Sequence, residues 1–479
     1  MIVLRIAVPV LVLLVVLYRA PRNPIYVAGL PLIVAFGYAI FLPIIPSYAR
    51  RHVTIQDGLI LMVFLGWFWT KLARPWPKRM AKNEWFALGV LMFAFLAFEV
   101  VLMLIRDGAG GLSNTIYARQ WFYIPLGYLL MLDTYRRYSR EEVLDFIRFL
   151  SVASALLMFL YIPSELGVNI YPFTRHVENL SSGATLIRDF YTFPFWTGLA
   201  VAYWSSRSRQ SLVSILALVL LGVGAFFSYT RSIVGLLVLT PLAAAALYAI
   251  RPRNIGRVVA IVSVVAVGLF GATIVLPRVA SSQYSLFVSR TSELAQSGAN
   301  PTNVATAAGR ITEFVQGYRY GASVDSLFGA GLGHSGAAST SGVAPEKVTW
   351  DSDWVDIVQS VGVVGLVVLA LPLLGGLVAG LIAFFKRRDA VGQQLSLTIL
   401  LFVFWTIASR FVGIYYQWWF ALALWGIALV AIDSKNLWSQ PRDGAVAKLP
   451  TLQRQPTSLK GGFRRKAPGG VQRESGYSR

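Results

Sequence analysis

Apolar runs alternate with short polar connectors along most of the chain. The runs begin near Ile2, Ile25, Asp57, Trp85, Ile116, Phe146, Phe190, Leu212, Ile233, Val258, Trp354, Leu395 and Val412. A run of about 20 apolar residues crosses the hydrocarbon core of a bilayer as a helix. In lipid the backbone must satisfy its own hydrogen bonds, so the runs predict helices. Membrane strands would alternate apolar and polar residues over shorter segments, and Leu212 to Phe227 does not alternate. The pattern therefore predicts an all-α polytopic membrane protein with about 12–13 transmembrane helices. The count turns on Ile2 to Tyr18, which resembles a signal-peptide core. It has no separate basic start, and Pro21, Arg22 and Pro24 follow it where a small-residue cleavage site would stand, so it reads as an anchor. Four regions result: helices over 1–276, a large loop over 277–353, the last helices over 354–432, and a basic, Gly- and Pro-containing tail over 433–479 that reads as disordered.

Charge gives the runs sides. Basic clusters stand at Arg74 to Arg79, at Arg136, Arg137 and Arg140, at Arg207 and Arg209, at Arg251, Arg253 and Arg257, and at Lys386 to Arg388. These are alternate connectors, as the positive-inside rule requires, and it assigns them to the cytoplasm. Arg50 and Arg51 fall on the wrong side of that scheme. The 277–353 loop then belongs to the outer face. So do the short Gly-rich loop from Arg106 to Asn114 and the loop from Glu165 to Asp189.

Composition narrows the chemistry. The 479 residues are 56% hydrophobic and 14% charged, against about a quarter charged in soluble domains. The net charge of +21 would suggest nucleic acid in a soluble protein, but here membrane topology accounts for it. With 0 cysteines, disulfides, thiolate metal sites and cysteine catalysis are excluded, and 3 histidines make a His-rich metal centre a poor reading. No metal and no cofactor are expected. The basic tail, with Arg464, Arg465 and Lys466, could touch anionic head groups or be a solvated tail without a task.

Ionisable residues at membrane depth are functional candidates by default. Arg231 lies between two apolar runs in Tyr229-Thr230-Arg231-Ser232, in a turn short enough to hold it at the outer boundary. It either snorkels toward head groups or binds an anion through forked, permanently charged hydrogen bonds. Arg188 is expected to open a helix on the same face, as an ion pair with Asp189, as a snorkelling boundary residue or as a second anion ligand. The loop from Gly329 to His334 is Gly-rich, but no Gly-Lys-Ser/Thr follows, so it is not a P-loop. Arg290 and Arg310 read equally well as solvated loop charges. Asp351, Asp353 and Asp356 cluster at a helix start, where one would serve as a cap or take a proton from a sugar hydroxyl. Arg410 sits among Trp405, Tyr415, Tyr416, Trp418 and Trp419, which read as an interfacial belt.

These residues resemble the O-antigen ligase and polysaccharide polymerase superfamily of bacterial inner membranes. Three elements carry the resemblance: the Thr230-Arg231-Ser232 turn; the order Arg290, Gly309-Arg310, Glu313, then Gly329-x-Gly331-x-Gly333; and the segment from Asp351 to Gly365. Family ligases carry a His, then Asn, Ser or Gln, then nine residues and Gly-x-x-Gly. This chain has Asp351, Ser352, nine residues, and Gly362-Val363-Val364-Gly365. The spacing matches and the histidine does not. Arg188, ahead of Phe193-Pro194, also fits the family pattern, and the likeness runs from about Arg188 onward.

The resemblance implies a C-type-glycosyltransferase-like protein with its active site on the periplasmic face. The implied activity is a metal-independent, inverting transfer from a glycan on undecaprenyl diphosphate. Arg188 and Arg231 would hold the diphosphate. Asp351 and Asp353 would activate the acceptor. Arg290, Arg310, Glu313 and His334 would assist binding. The altered residue at Asp351 argues for a different acceptor, hence for a polymerase that joins lipid-linked repeat units. Ligation to lipid A core or another acceptor is the alternative within the family, and a lipid-linked oligosaccharide flippase is the alternative outside it. Expected partners are the lipid-linked oligosaccharide, membrane lipids, and a chain-length regulator or flippase, with no nucleic acid.

Overall fold

The computed structural model describes residues 10–28, 64–72, 83–107, 121–133, 138–165, 176–179, 185–188, 193–207, 211–227, 231–250, 255–279, 307–332 and 353–409, with short gaps, and a few positions between 281 and 292. Helices dominate these segments. The main ones are α1 (Glu84–Asp107), α2 (Arg140–Glu165), α3 (Phe193–Ser206), α4 (Leu212–Phe227), α5 (Arg231–Ala249), α6 (Ile255–Val279), α7 (Ala307–Val324), α8 (Asp353–Lys386) and α9 (Ala390–Ser409). Among the described residues, four helices are long and apolar enough to cross a membrane: α1, α6, α8 and α9. Shorter apolar helices run over Leu212–Phe226 and Ile233–Ala249. The protein is thus a mainly helical chain with membrane-spanning character. The runs expected near Val412 and over the tail lie outside the described residues.

Local chemistry sets where several helices start. Asn83 accepts the N–H groups of Trp85 (2.9 Å) and Phe86 (3.3 Å), which caps α1. Ser139 and Glu142 form a reciprocal capping box at the start of α2: the Ser139 N–H donates to Glu142 Oε2 (2.7 Å), and the Glu142 N–H donates to Ser139 Oγ (3.3 Å). Ser211 accepts the Ser214 N–H (3.3 Å) ahead of α4, and Asp389 accepts the Gly392 N–H (2.7 Å) ahead of α9. These caps follow the basic connectors read from the sequence.

Contacts also gather those connectors. Arg140 pairs with Asp389 at 3.2 Å, which joins the connector before α2 to that between α8 and α9. The Tyr248 hydroxyl, near the end of α5, donates to the Ser206 carbonyl at the end of α3 (2.7 Å). The Arg257 guanidinium stands 5.2 Å over the Tyr248 ring. Ser206 Oγ and Thr398 Oγ1, 2.6 Å apart, tie α3 to α9. One end of the bundle thus collects basic residues from several connectors, as the alternation of charge predicts.

Between the ends, α3 is the central helix. Residues 197–206 are buried throughout, and α3 packs on α2, α5 and α9. Glycines allow close approach, as in membrane bundles, where small residues let backbones come near. A Cβ at Gly198 would strike the Trp405 indole, and one at Gly89 would lie 2.6 Å from Leu129. Helix α6 lies at the edge. Its Val259, Val267, Phe270 and Val275 are exposed, a surface suited to lipid.

Two elements lie in loops that the apolar pattern leaves blank. Strands β1 (His176–Asn179) and β2 (Thr185–Arg188) form an antiparallel pair, with His176 opposite Arg188. Arg188 therefore closes a strand instead of opening a helix, and α3 starts five residues later at Phe193. Pro194 fits this start, because proline is tolerated in the first turn of a helix, where its missing N–H has no helical partner to lose. Inside the 277–353 loop, α7 packs along the first turns of α8. A Cβ at Gly321 would meet the Gln359 carbonyl at 2.7 Å, and Gly317 faces Val355 just as closely.

Candidate functional site

The site is built around a break in α8. Gly362 has φ 64° and ψ −166°, a conformation open in practice only to glycine. A Cβ there would collide with the Leu327 carbonyl. The break frees backbone groups that a continuous helix would pair internally. The turn that follows α7 takes them. The Ala330 N–H donates to the Gln359 carbonyl (2.8 Å), and the Gly331 N–H to the Ser360 carbonyl (2.8 Å). In return the Val364 N–H donates to the Leu327 carbonyl (3.2 Å). Gly329 (φ 70°) and Gly331 (φ 103°) supply the backbone shapes this exchange needs. At Gly329 a Cβ would sit 2.6 Å from both Gln359 O and Gly362 N. Two motifs 30 residues apart in sequence, the glycine-rich turn and the Gly362-x-x-Gly365 segment, are therefore one structural unit.

A guanidinium from a third element secures it. Arg106, in the last turn of α1, donates from Nη2 to Asp325 Oδ2 (2.5 Å) and from Nη1 to the Gly329 carbonyl (3.1 Å). Asp325 Oδ1 accepts the N–H groups of Leu327 (2.9 Å) and Phe328 (3.0 Å), so one carboxylate shapes the turn and anchors the arginine. Those backbone donors, from Phe328 and Leu327, hold the Asp325 carboxyl below the usual carboxylate range, and the Arg106 charge adds to the effect. The Phe98 and Phe328 rings meet edge to face at 5.2 Å. About two α1 turns before Arg106, Glu99 is fully buried, and neither of its oxygens has a hydrogen-bond partner among the described residues. Asp356 (3% exposed) and Ser360 (0%) are buried on the α8 segment before the break.

The expected site residues fall around this unit to differing degrees. Asp353 is the first residue of α8, and Arg310 and Glu313 stand three apart on α7, on one helix face. Arg231 is the first residue of α5, where unpaired backbone N–H groups favour anions. Arg188 closes β2. These five are placed by their backbones; their side chains lie outside the described set. Asp351, Arg290 and His334 lie outside the described residues altogether. Among the described residues no group of three or more His, Cys, Asp or Glu could hold a metal ion.

Arg106, Asp325 and Glu99 escape a reading of charge between helices. The signal for Glu99 and Arg106 is nonetheless plain: ionisable residues within an apolar run. The same rule finds a buried ion pair elsewhere. Lys71 and Asp133, 8% and 2% exposed, lie 2.5 Å apart, and the Trp67 indole N–H donates to the same carboxylate oxygen (3.1 Å).

No family model, curated protein or solved structure matches the chain.

Proposed function

We propose that this chain is an inverting, metal-independent glycosyltransferase of the bacterial inner membrane that polymerises lipid-linked polysaccharide repeat units on the periplasmic side. The observation that supports this reading is the joining of the 325–332 turn to the 353–365 segment, two of the motifs on which the family resemblance rests. A glycine-only backbone exchange is a demanding way to place the start of α8, and that start carries Asp353, with Asp351 two residues before it. The bundle's basic end would face the cytoplasm, and the motif unit would then face the periplasm.

In the proposed step, an acceptor sugar hydroxyl of one repeat attacks the anomeric carbon of a glycan on undecaprenyl diphosphate. The new glycosidic C–O bond forms as the bond to the diphosphate oxygen breaks. The hydroxyl proton passes to Asp351 or Asp353 acting as general base. The diphosphate leaves with the bonding electrons, and its charge is met by Arg188 and Arg231. Diphosphate is a good leaving group without a metal, so positioning and charge stabilisation supply most of the catalysis.

Full-length protein in lipid nanodiscs, given undecaprenyl-diphosphate repeat units alone, should make a ladder of longer glycans. Transfer only after a second acceptor is added would identify a ligase, and movement of donor across vesicles without bond formation a flippase. Arg231→Ala should abolish the ladder in protein that remains folded; wild-type activity in that variant removes the arginine from the diphosphate site. An unchanged rate in Asp351→Asn would reduce Asp351 to a helix cap.

A further inference from the structure

We infer that Arg106 is a positioning residue that clamps the 325–332 turn into the break of α8 and so fixes the direction of the segment bearing Asp353 and Asp356. The geometry is a chain of contacts. The guanidinium forks between the Asp325 carboxylate and the Gly329 carbonyl. Asp325 shapes the turn through Leu327 and Phe328. The turn's own N–H groups then replace the helix bonds lost at Gly362. Nothing else in this chain of contacts joins α1 to the turn by a charged hydrogen bond, and α1 is itself a span packed on α8.

A broken helix joined only by backbone hydrogen bonds could pivot at Gly362. An arginine is suited to stop this, because its planar fork fixes two acceptors at once, whereas lysine is a point charge on a flexible stem. The buried Glu99 carboxyl, within electrostatic reach of both Arg106 and Asp325, is a competing partner about two turns away on α1. Asp325 keeps the guanidinium on the turn and away from that partner. The effect on rate rests on the glycosyl-transfer reading; the clamp itself does not.

The chain has 0 cysteines, so spin labels can be placed cleanly at Val315→Cys on α7 and Val367→Cys beyond the break, both exposed positions. In nanodiscs the label-to-label distance distribution should be narrow in the parent and broad in Arg106→Ala, with Arg106→Lys between them. Asp325→Asn keeps an acceptor for the turn but loses the charge, and should also fall between. In the ladder assay kcat should drop in the same order, by about 10–100-fold for Arg106→Ala, because small misplacements of reacting groups cost that much. KM for the lipid-linked repeat should change less than about threefold, since uniform binding is untouched. If Arg106→Ala fails to fold, Arg106→Lys and Asp325→Asn carry the test. An unchanged distance distribution overturns the clamp. Broadening without loss of kcat, or a loss confined to KM, overturns the positioning role. A parent protein that forms no glycosidic bond, with or without a second acceptor, overturns the glycosyl-transfer reading alone, while the distance measurement still decides the clamp.

Discussion

The two ends of the helix bundle are held by different means. At the basic end, helix starts are capped by single side chains, and connectors are joined by pairs such as Arg140–Asp389 and Tyr248–Ser206. Each contact there is a single side-chain contact, and several are partly exposed. At the other end, α8 breaks at Gly362, and a turn from another part of the chain completes it through its backbone. Exposed pairs tolerate change because water replaces what is lost. A buried backbone exchange does not, since every freed N–H or C=O must find a partner. The basic end is built for orientation, the broken end for precision.

The largest expected effect is at the break. Gly362→Ala forces a side chain into a strained conformation against the Leu327 carbonyl, and should destabilise by about 3 kcal/mol or more. Gly268→Ala in α6, where nothing lies within 4 Å, should be neutral or up to about 1 kcal/mol stabilising. Thermal unfolding in one detergent compares the two, and equal effects would remove the special role given to the break. The buried pair should respond nearly as strongly: Asp133→Ala strands Lys71 and should cost about 3 kcal/mol, read in the same experiment.

Smaller effects test the basic end. Ser139→Ala removes the capping box of α2 and should cost about 0.5–2 kcal/mol. Asp325 adds a pH signature at the broken end. Its carboxyl is held below its ordinary value of 3.8, so its contribution is present above that value and is lost as pH falls through the lowered one. Stability of wild type relative to Asp325→Asn should be flat from about pH 5 to 8 and shrink below about pH 4. Asp389→Asn, which breaks the exposed pair with Arg140 but leaves an acceptor for Gly392, should cost under about 1 kcal/mol, less at high salt.

How much of this was legible in the sequence follows the same division. Apolar runs located α1, α4, α5, α6 and α8 within a few residues, because length and hydropathy alone decide a span. Alternating basic connectors foretold that Arg140, Arg207, Arg257 and Lys386 belong together. The hairpin ending at Arg188 and the packing of α7 on α8 were not legible, since four-residue strands and a loop helix carry no strong period. The glycine-rich run marked Gly329 and Gly331 as a tight turn, and the family resemblance singled out Gly362 and Gly365, but their union is a tertiary fact. From the sequence Arg106 reads only as a loop boundary, because its partner lies 219 positions away.

The central claim is glycosyl transfer, and stoichiometry tests it most directly. Purified full-length protein in nanodiscs would receive undecaprenyl-diphosphate repeat units as the only sugar source, with glycan length and free undecaprenyl diphosphate measured together. The account predicts one undecaprenyl diphosphate released per repeat joined, with an inverted anomeric configuration at each new linkage. Release without glycan growth, or no bond formation with this donor even when a second acceptor is supplied, would contradict it.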